Sequence, residues 1–180
     1  MKKQKNRWIM LFCICCNTFC FGGVYAWSAF SGELANYMGW DYSKVTVAYS
    51  IMLMCVALMG LVGGMLLQRF GARKLMIAAG IMWGLGWFAT GMAGSIIMLY
   101  ASFGILAGCA SGFGYNPGVV TAVSWFPDKK GFASGMAVGT CGMASLIVAP
   151  LANFLLTRFN VMTAFRLVGG MFLVVSLATS

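Results

Sequence analysis

The chain has 180 residues, 61% hydrophobic and 8% charged, with 12 Lys and Arg against 3 Asp and Glu. A soluble domain carries about 25% charged residues. A core of this size cannot hide so much apolar surface, so lipid is the expected solvent. The formal charge of +9 does not mark a nucleic-acid partner, because the basic residues sit in short clusters between apolar runs and form no basic face.

A helix needs about 20 apolar residues to cross a bilayer. The first such run covers residues 8–30 and follows Lys2, Lys3, Lys5 and Arg7. That order suggests a signal peptide, but the run is too long for one and no clear small-x-small cleavage site follows, so it reads as a first span. Within it Asn17, Phe21, Tyr25 and Ser28 recur at spacings of four, four and three. They make one helix face with a polar stripe, which lipid would penalise. Trp27 is expected near the outer end of this span, and Thr46 near the outer end of the second, residues 45–67. The third run is 75–93. The fourth, 96–125, carries Tyr115 and Asn116 just before Pro117, which is expected to break the helix and free backbone groups.

Gly104, Gly108 and Gly112 share one face of that fourth run. The fifth run, 132–156, follows a charged turn in which Pro127 precedes Asp128, Lys129 and Lys130. Gly131, Gly135 and Gly139 make a second strip there. Such strips serve either close helix packing or sliding of one helix on another. A sixth run starts near Arg166 and reaches residue 180. Fifteen residues of helix rise only about 22 Å against a hydrocarbon core of about 30 Å. The sequence therefore predicts an all-α membrane protein of five complete spans and an incomplete sixth, with the chain a fragment.

The cations orient these spans. With a cytoplasmic N-terminus, residues 1–7, 68–74 and 126–131 lie inside and hold Lys2, Lys3, Lys5, Arg7, Arg69, Arg73, Lys74, Lys129 and Lys130. The outside segments hold Lys44, Arg158 and Arg166, and the acids Glu33 and Asp41 flank the first outer loop. This bias predicts a multi-pass protein of the plasma or cytoplasmic membrane with its N-terminus in the cytosol. No charged residue and no histidine falls within the five complete runs, which argues against a self-contained proton relay. All 7 cysteines lie in apolar runs and read as small apolar filler, with no metal site and no disulfide framework. No nucleophile–base pair, Walker loop or dinucleotide fingerprint is visible, so neither an enzyme nor a cofactor is expected.

Two inner turns carry a family resemblance. "GGMLLQRFGARK", residues 63–74, resembles the signature G-x-L-x-D-R-x-G-R-[KR] of the major facilitator superfamily. Gly64, Leu66, Arg69, Gly71, Arg73 and Lys74 supply most of it, Arg73 stands one place late, and Gln68 replaces the Asp. "YNPG" with "WFPDKKGFASGMAVG", residues 125–139, is similar to the oxalate/formate antiporter branch. The resemblance covers the whole chain and implies the N-terminal six-helix half of a twelve-helix carrier, with the C-terminal half absent.

It further implies that spans one and four line a central cavity. Tyr25, Trp27 and Tyr115 fall where the branch places aromatic pocket residues, with Asn17, Thr46 and Asn116 as further polar candidates. Each tyrosine has a packing or interface-belt role as its alternative. Hydroxyl donors on an aromatic wall suit a small carboxylate, and the family supplies cations for the anion from the second half. Gly64, Gln68, Arg69, Gly71, Arg73 and Lys74 would form a conformational latch. Arg69, Arg73 and Lys74 also serve as plain topology anchors in an alternative reading. The expected function is exchange of small carboxylates. A monocarboxylate carrier and a non-transporting sensor on a carrier fold are the alternatives.

Overall fold

The structure, a computed structural model, describes residues 2–179, with side chains from Arg7 to Thr179. The side chains of Lys2, Lys3 and Lys5 and the whole of Ser180 lie outside the described residues. The described elements are all helical. In chain order they are α1 (Lys2–Phe21), a 3-10 turn (Gly22–Ala26), α2 (Trp27–Met38), α3 (Tyr42–Phe70) and α4 (Ala72–Thr90). There follow α5 (Ile96–Leu99), a π-helical stretch (Tyr100–Ala107), α6 (Gly108–Trp125), a 3-10 turn (Pro127–Lys129), α7 (Lys130–Arg158) and α8 (Val161–Thr179). They stack into six rods, α1 with α2 forming the first and α5 with α6 the fourth.

Five stretches are long and apolar enough to cross a membrane: Arg7–Met38, Tyr42–Phe70, Ile96–Trp125, Pro127–Arg158 and Val161–Thr179. The third rod, α4, begins with Arg73 and Lys74 and is rich in Gly and Trp, which leaves it below that apolar level. It is enclosed by its neighbours, α6 on one side and α8 on the other.

Several boundaries differ from the sequence reading. The first rod does not end at residue 30 but runs to Met38. Trp27 therefore lies mid-rod, and Glu33 sits on α2 within the rod and not in a loop. Nor is the rod one helix. Two successive glycines, the poorest helix formers after proline, open the 3-10 turn at Gly22. They also let the rod press inward. A Cβ on Gly22 would stand 2.6 Å from Ala144 Cβ of α7, and one on Gly23 would collide with the Phe172 ring of α8.

The fourth rod is not broken at Pro117. That residue lies buried inside α6, and Thr121 Oγ1 donates to the Pro117 carbonyl at 2.7 Å. The irregularity lies upstream, in the π-helical stretch. There Ser102 Oγ donates to the Met98 carbonyl at 2.7 Å and lies 3.1 Å from Thr90 Oγ1 of α4. The sixth rod starts at Val161, not 166, and its 19 residues make it long enough to cross. Arg166 is thus inside a helix. Its Nε donates to the Gly91 carbonyl at 2.7 Å, satisfying the C-terminal end of α4.

The core is aromatic and runs along α4. Trp83 and Trp87 are fully buried and meet Phe30, Phe103, Phe165 and Phe172 at ring distances of 5.5–6.0 Å. Glycines let the backbones close around these rings. A Cβ on Gly84 of α4 would stand 2.6 Å from Leu173 Cβ of α8, and one on Gly169 would stand 2.5 Å from the Phe88 nitrogen. In lipid, packing and not water exclusion drives helix association, so such close approach supplies the attraction. A second, smaller core at the basic end joins Leu11, Ile14, Met76, Ala122, Phe126 and Ala137.

The charged turn after α6 closes that end. Phe126 is buried, with the Arg7 guanidinium 4.8 Å above its ring and Trp8 edge-on at 5.4 Å. Asp128 pairs with Arg7 at 3.2 Å. The turn thus staples α1 to the α6–α7 junction through Asp128, while Lys129 and Lys130 remain exposed.

Candidate substrate site

Two adjoining cavities open between the first rod, α3, α6 and α7. The narrower has a volume of about 120 Å³. Phe21, Val24 and Tyr25 line it from the first rod, and Tyr49, Leu53 and Val56 from α3. Ser111 and Tyr115 of α6 and Cys141 of α7 close the wall. The wider measures about 250 Å³ and lies toward the α2–α3 loop. Its walls are Tyr25, Trp27, Ser28 and Ser31 on one side and Tyr42, Thr46 and Tyr49 on the other, with Val24 between.

Local structure explains why these side chains meet. Gly114 of α6 faces the Phe21 ring, where any Cβ would collide. Gly108 and Gly112 bring α6 against α3, which sets Ser111 and Tyr115 beside Tyr49 and Val56. The lining of the narrow cavity is apolar apart from the hydroxyls of Tyr25, Tyr49, Tyr115 and Ser111 and the Cys141 thiol. None of these hydroxyls has a hydrogen-bond partner among the described residues. Unpartnered donors in a low-dielectric cleft favour an acceptor-rich guest. Among the described residues no charged side chain lines either cavity.

The expected site residues divide. Tyr25 and Tyr115 line the narrow cavity, and Tyr25, Trp27 and Thr46 the wide one. Trp27 offers little of itself, because it is buried and stacked on Phe103 at 3.9 Å. Thr46 Oγ1 donates to the Tyr42 carbonyl at 2.9 Å. Asn116 is exposed and lies over Gly60 of α3, outside both walls.

Asn17 is also outside them. Its Nδ2 donates to Thr179 Oγ1 at 2.8 Å and the Cys13 carbonyl at 3.2 Å, and its Oδ1 accepts from Ser176 Oγ at 2.8 Å. The stripe Asn17–Phe21–Tyr25–Ser28 therefore does not keep to one face. A 3-10 turn advances about 20° more per residue than an α-helix. Gly22–Ala26 rotates Tyr25 and Ser28 toward α3 while Asn17 stays with α8.

Tyr49, Ser111 and Cys141 were missed by the sequence reading. For Tyr49 a signal exists: Tyr42, Thr46 and Tyr49 recur at four and three residues on α3, a polar stripe facing the one on the first rod. Ser111 and Cys141 carry no comparable mark.

At the basic end Gly71 has φ +80 and its N–H donates to the Leu67 carbonyl at 3.1 Å, the tight reversal expected of the motif. Arg69 stacks over its neighbour Phe70 at 5.6 Å. Arg73 lines a third cavity with Met10, Cys13, Ile14, Met76 and Thr179. Among the described residues Gln68, Arg69, Arg73 and Lys74 form no ion pair and no side-chain hydrogen bond, and Gly64 faces open space. The acids are engaged or distant: Asp128 holds Arg7, Asp41 holds Lys44, and Glu33 is near the other end. The described residues contain no group of three or more His, Cys, Asp and Glu able to hold a metal.

The profile of the Major Facilitator Superfamily matches residues 7–179. The MFS-type transporter YhjX of Escherichia coli (strain K12) is 36% identical over 143 residues, covering 79% of this chain and 36% of that protein. The oxalate:formate antiporter of Oxalobacter formigenes is 32% identical over 165 residues, covering 91% of this chain and 39% of that protein. Monocarboxylate transporter 3 of Mus musculus is 29% identical over 167 residues, covering 92% and 34% respectively. A peptide transporter, POT, solved in complex with sulfate, shares the fold with a TM-score of 0.75 at 19% identity, over 97% of this chain and 37% of that one. The chain thus spans less than two-fifths of the length of each of these relatives. Six stacked rods, the matched profile and these relatives agree: the chain belongs to the Major Facilitator Superfamily and has the N-terminal half of a transporter fold.

Proposed function

We propose that the chain forms one half of a secondary transporter that exchanges small carboxylates of the oxalate and formate class by alternating access. The observation that carries this reading is the convergence of four unpartnered hydroxyls, from Tyr25, Tyr49, Ser111 and Tyr115, on one narrow cavity. A carboxylate presents acceptor oxygens only, which such a set of donors recognises. The cavity takes an acid of few heavy atoms. The similar oxalate:formate antiporter supports the substrate class.

In this reading the basic end of the bundle faces the cytosol, in keeping with the bias of Lys and Arg to that end. A C-terminal six-helix half packs against this one in the bilayer and contributes the cations the cavity lacks. Gln68, Arg69, Arg73 and Lys74 find their latch partners there. Substrate binds between the halves near the midplane, and rocking alternates its exposure. Full-length protein in liposomes should exchange labelled oxalate or formate for internal anion. Absence of counterflow with a broad panel of small acids would sink the assignment.

A monocarboxylate carrier is the second reading, favoured by the apolar half of the wall, Phe21, Leu53 and Val56, and by the mouse relative. Competition by graded mono- and dicarboxylates separates the two.

A further inference from the structure

We propose that Tyr25 and Tyr49 form a divide between the two cavities, and that Tyr49 sets the size of the acid that crosses from the wide chamber to the narrow one. The identity of the guest rests on the carboxylate reading above, while the divide itself rests on geometry.

Three residues belong to both walls, Val24, Tyr25 and Tyr49. Each tyrosine stands on backbone that is held. Tyr25 follows Gly22 and Gly23, which are wedged against α7 and α8, and precedes Trp27, stacked on Phe103. Tyr49 follows the fully buried Ala48, whose carbonyl lies where Gly104 admits α3 against the fourth rod. The mobile parts are thus the two rings. Both hydroxyls are without partners among the described residues, so they can donate to a guest on either side.

The chambers differ in chemistry as well as size. The wide one is walled by the hydroxyls of Ser28, Ser31, Tyr42 and Thr46, of which Thr46 and Ser31 already donate to backbone carbonyls, a surface on which an anion keeps its water. The narrow one has about half the volume and sets Leu53, Val56 and Phe21 around Ser111 and Tyr115. An anion entering it must leave most of its water behind, which costs free energy unless direct donors replace that water. The divide is where the exchange takes place. A Tyr49 ring bars a bulky acid there, and its hydroxyl replaces water for a small one.

Cys141 supplies a probe, because it lines the narrow chamber and not the wide one. Full-length protein in liposomes is treated from the α2–α3 loop side with methanethiosulfonate reagents of graded bulk, with Cys141→Ser as background. In the parent protein small reagents should modify Cys141 and bulky ones should not. Tyr49→Ala should speed the bulky reagent severalfold, and Tyr49→Phe should leave its rate at the parent value. Tyr49→Leu replaces Tyr49→Ala where the latter does not fold.

A second arm measures competition for uptake by straight-chain acids of increasing length. Tyr49→Ala should extend the series to longer acids. Tyr49→Phe should keep the length limit and weaken the short acids. An unchanged rate for bulky reagents in both truncations would overturn the divide, whatever the transport result. A changed labelling rate with no acid competing would leave the divide standing and overturn the carboxylate reading instead.

Discussion

Two glycine strips in this chain share a spacing and differ in surroundings. Gly104, Gly108 and Gly112 lie against α3: a Cβ on Gly108 would stand 2.9 Å from the Met52 carbonyl oxygen, and one on Gly112 2.9 Å from that of Val56. A Cβ on Gly131, Gly135 or Gly139 of α7 would meet no packing neighbour within 4 Å among the described residues. The first strip belongs to a closed side, where the fourth rod is pressed against α3 on one face and against α4, with its buried tryptophans, on another. The second belongs to an open side, where α7 buries only a narrow stripe of Ala133, Ala137, Cys141, Ala144, Val148 and Ala152. Spacing identifies a smooth face but says nothing about what sits on it. The closed side should therefore answer substitution with lost stability, and the open side with altered transport.

Gly108→Leu is the severest test. It forces a branched side chain between two backbones, and the free energy of unfolding in detergent should fall by more than the about 1–3 kcal/mol typical of overpacking. Asn17→Ala removes a buried carboxamide that joins α1 to α8. It should cost about 1–3 kcal/mol of stability and leave the substrate KM unchanged. A shift in KM without a loss of stability would place Asn17 on the open side after all.

Tyr115→Phe should do the reverse. Its midpoint should hold, while loss of one hydrogen bond of about 1 kcal/mol raises KM for the carboxylate about fivefold. Arg7→Ala acts at the seam between the two sides. Breaking a partly exposed ion pair and its aromatic contact should lower stability by about 0.5–1 kcal/mol. The charge swap Arg7→Asp with Asp128→Arg should recover part of that loss. Gly135→Leu should change the free energy of unfolding by less than about 0.5 kcal/mol. A drop as large as that of Gly108→Leu would erase the contrast between the strips. Intact folding with lost transport would give the open strip a part in the movement.

Much of the fold was legible because lipid imposes simple rules. Apolar runs located every rod, and the superfamily motif located the reversal at Gly71. What the sequence obscured lies where local helix geometry departs from the average. Asn17 and Tyr25 are eight residues apart and share a face on an unbroken α-helix, but the 3-10 turn at Gly22–Ala26 parts them. Pro117 looks like a breaker, yet Gly63 of α3 gives its ring room, with Cγ 3.2 Å from where a Cβ would sit, and α6 continues through it. The disruption lies instead in Tyr100–Ala107, a stretch with no proline. Arg166 looks like a loop cation because a single charge interrupts the apolar count, but it lies inside α8, where its hydrogen bond to the Gly91 carbonyl gives the guanidinium a partner. Tyr49 was overlooked because the stripe Tyr42–Thr46–Tyr49 begins at the end of an apolar helix, where tyrosines read as interface anchors, and its partner across the cleft is visible only in three dimensions.

The carboxamide of Asn17 has a consequence for how the protein is made. Its partners Ser176 and Thr179 follow it by 159 and 162 residues. At about 5–20 residues per second, translation reaches them roughly 10–30 s after Asn17 itself is made. Through that interval the Asn17 carboxamide of α1 lacks its partners on α8, a costly state in hydrocarbon. The first rod is therefore expected to linger beside the insertion machinery or a chaperone, and to be released to lipid only when α8 arrives to close the ring.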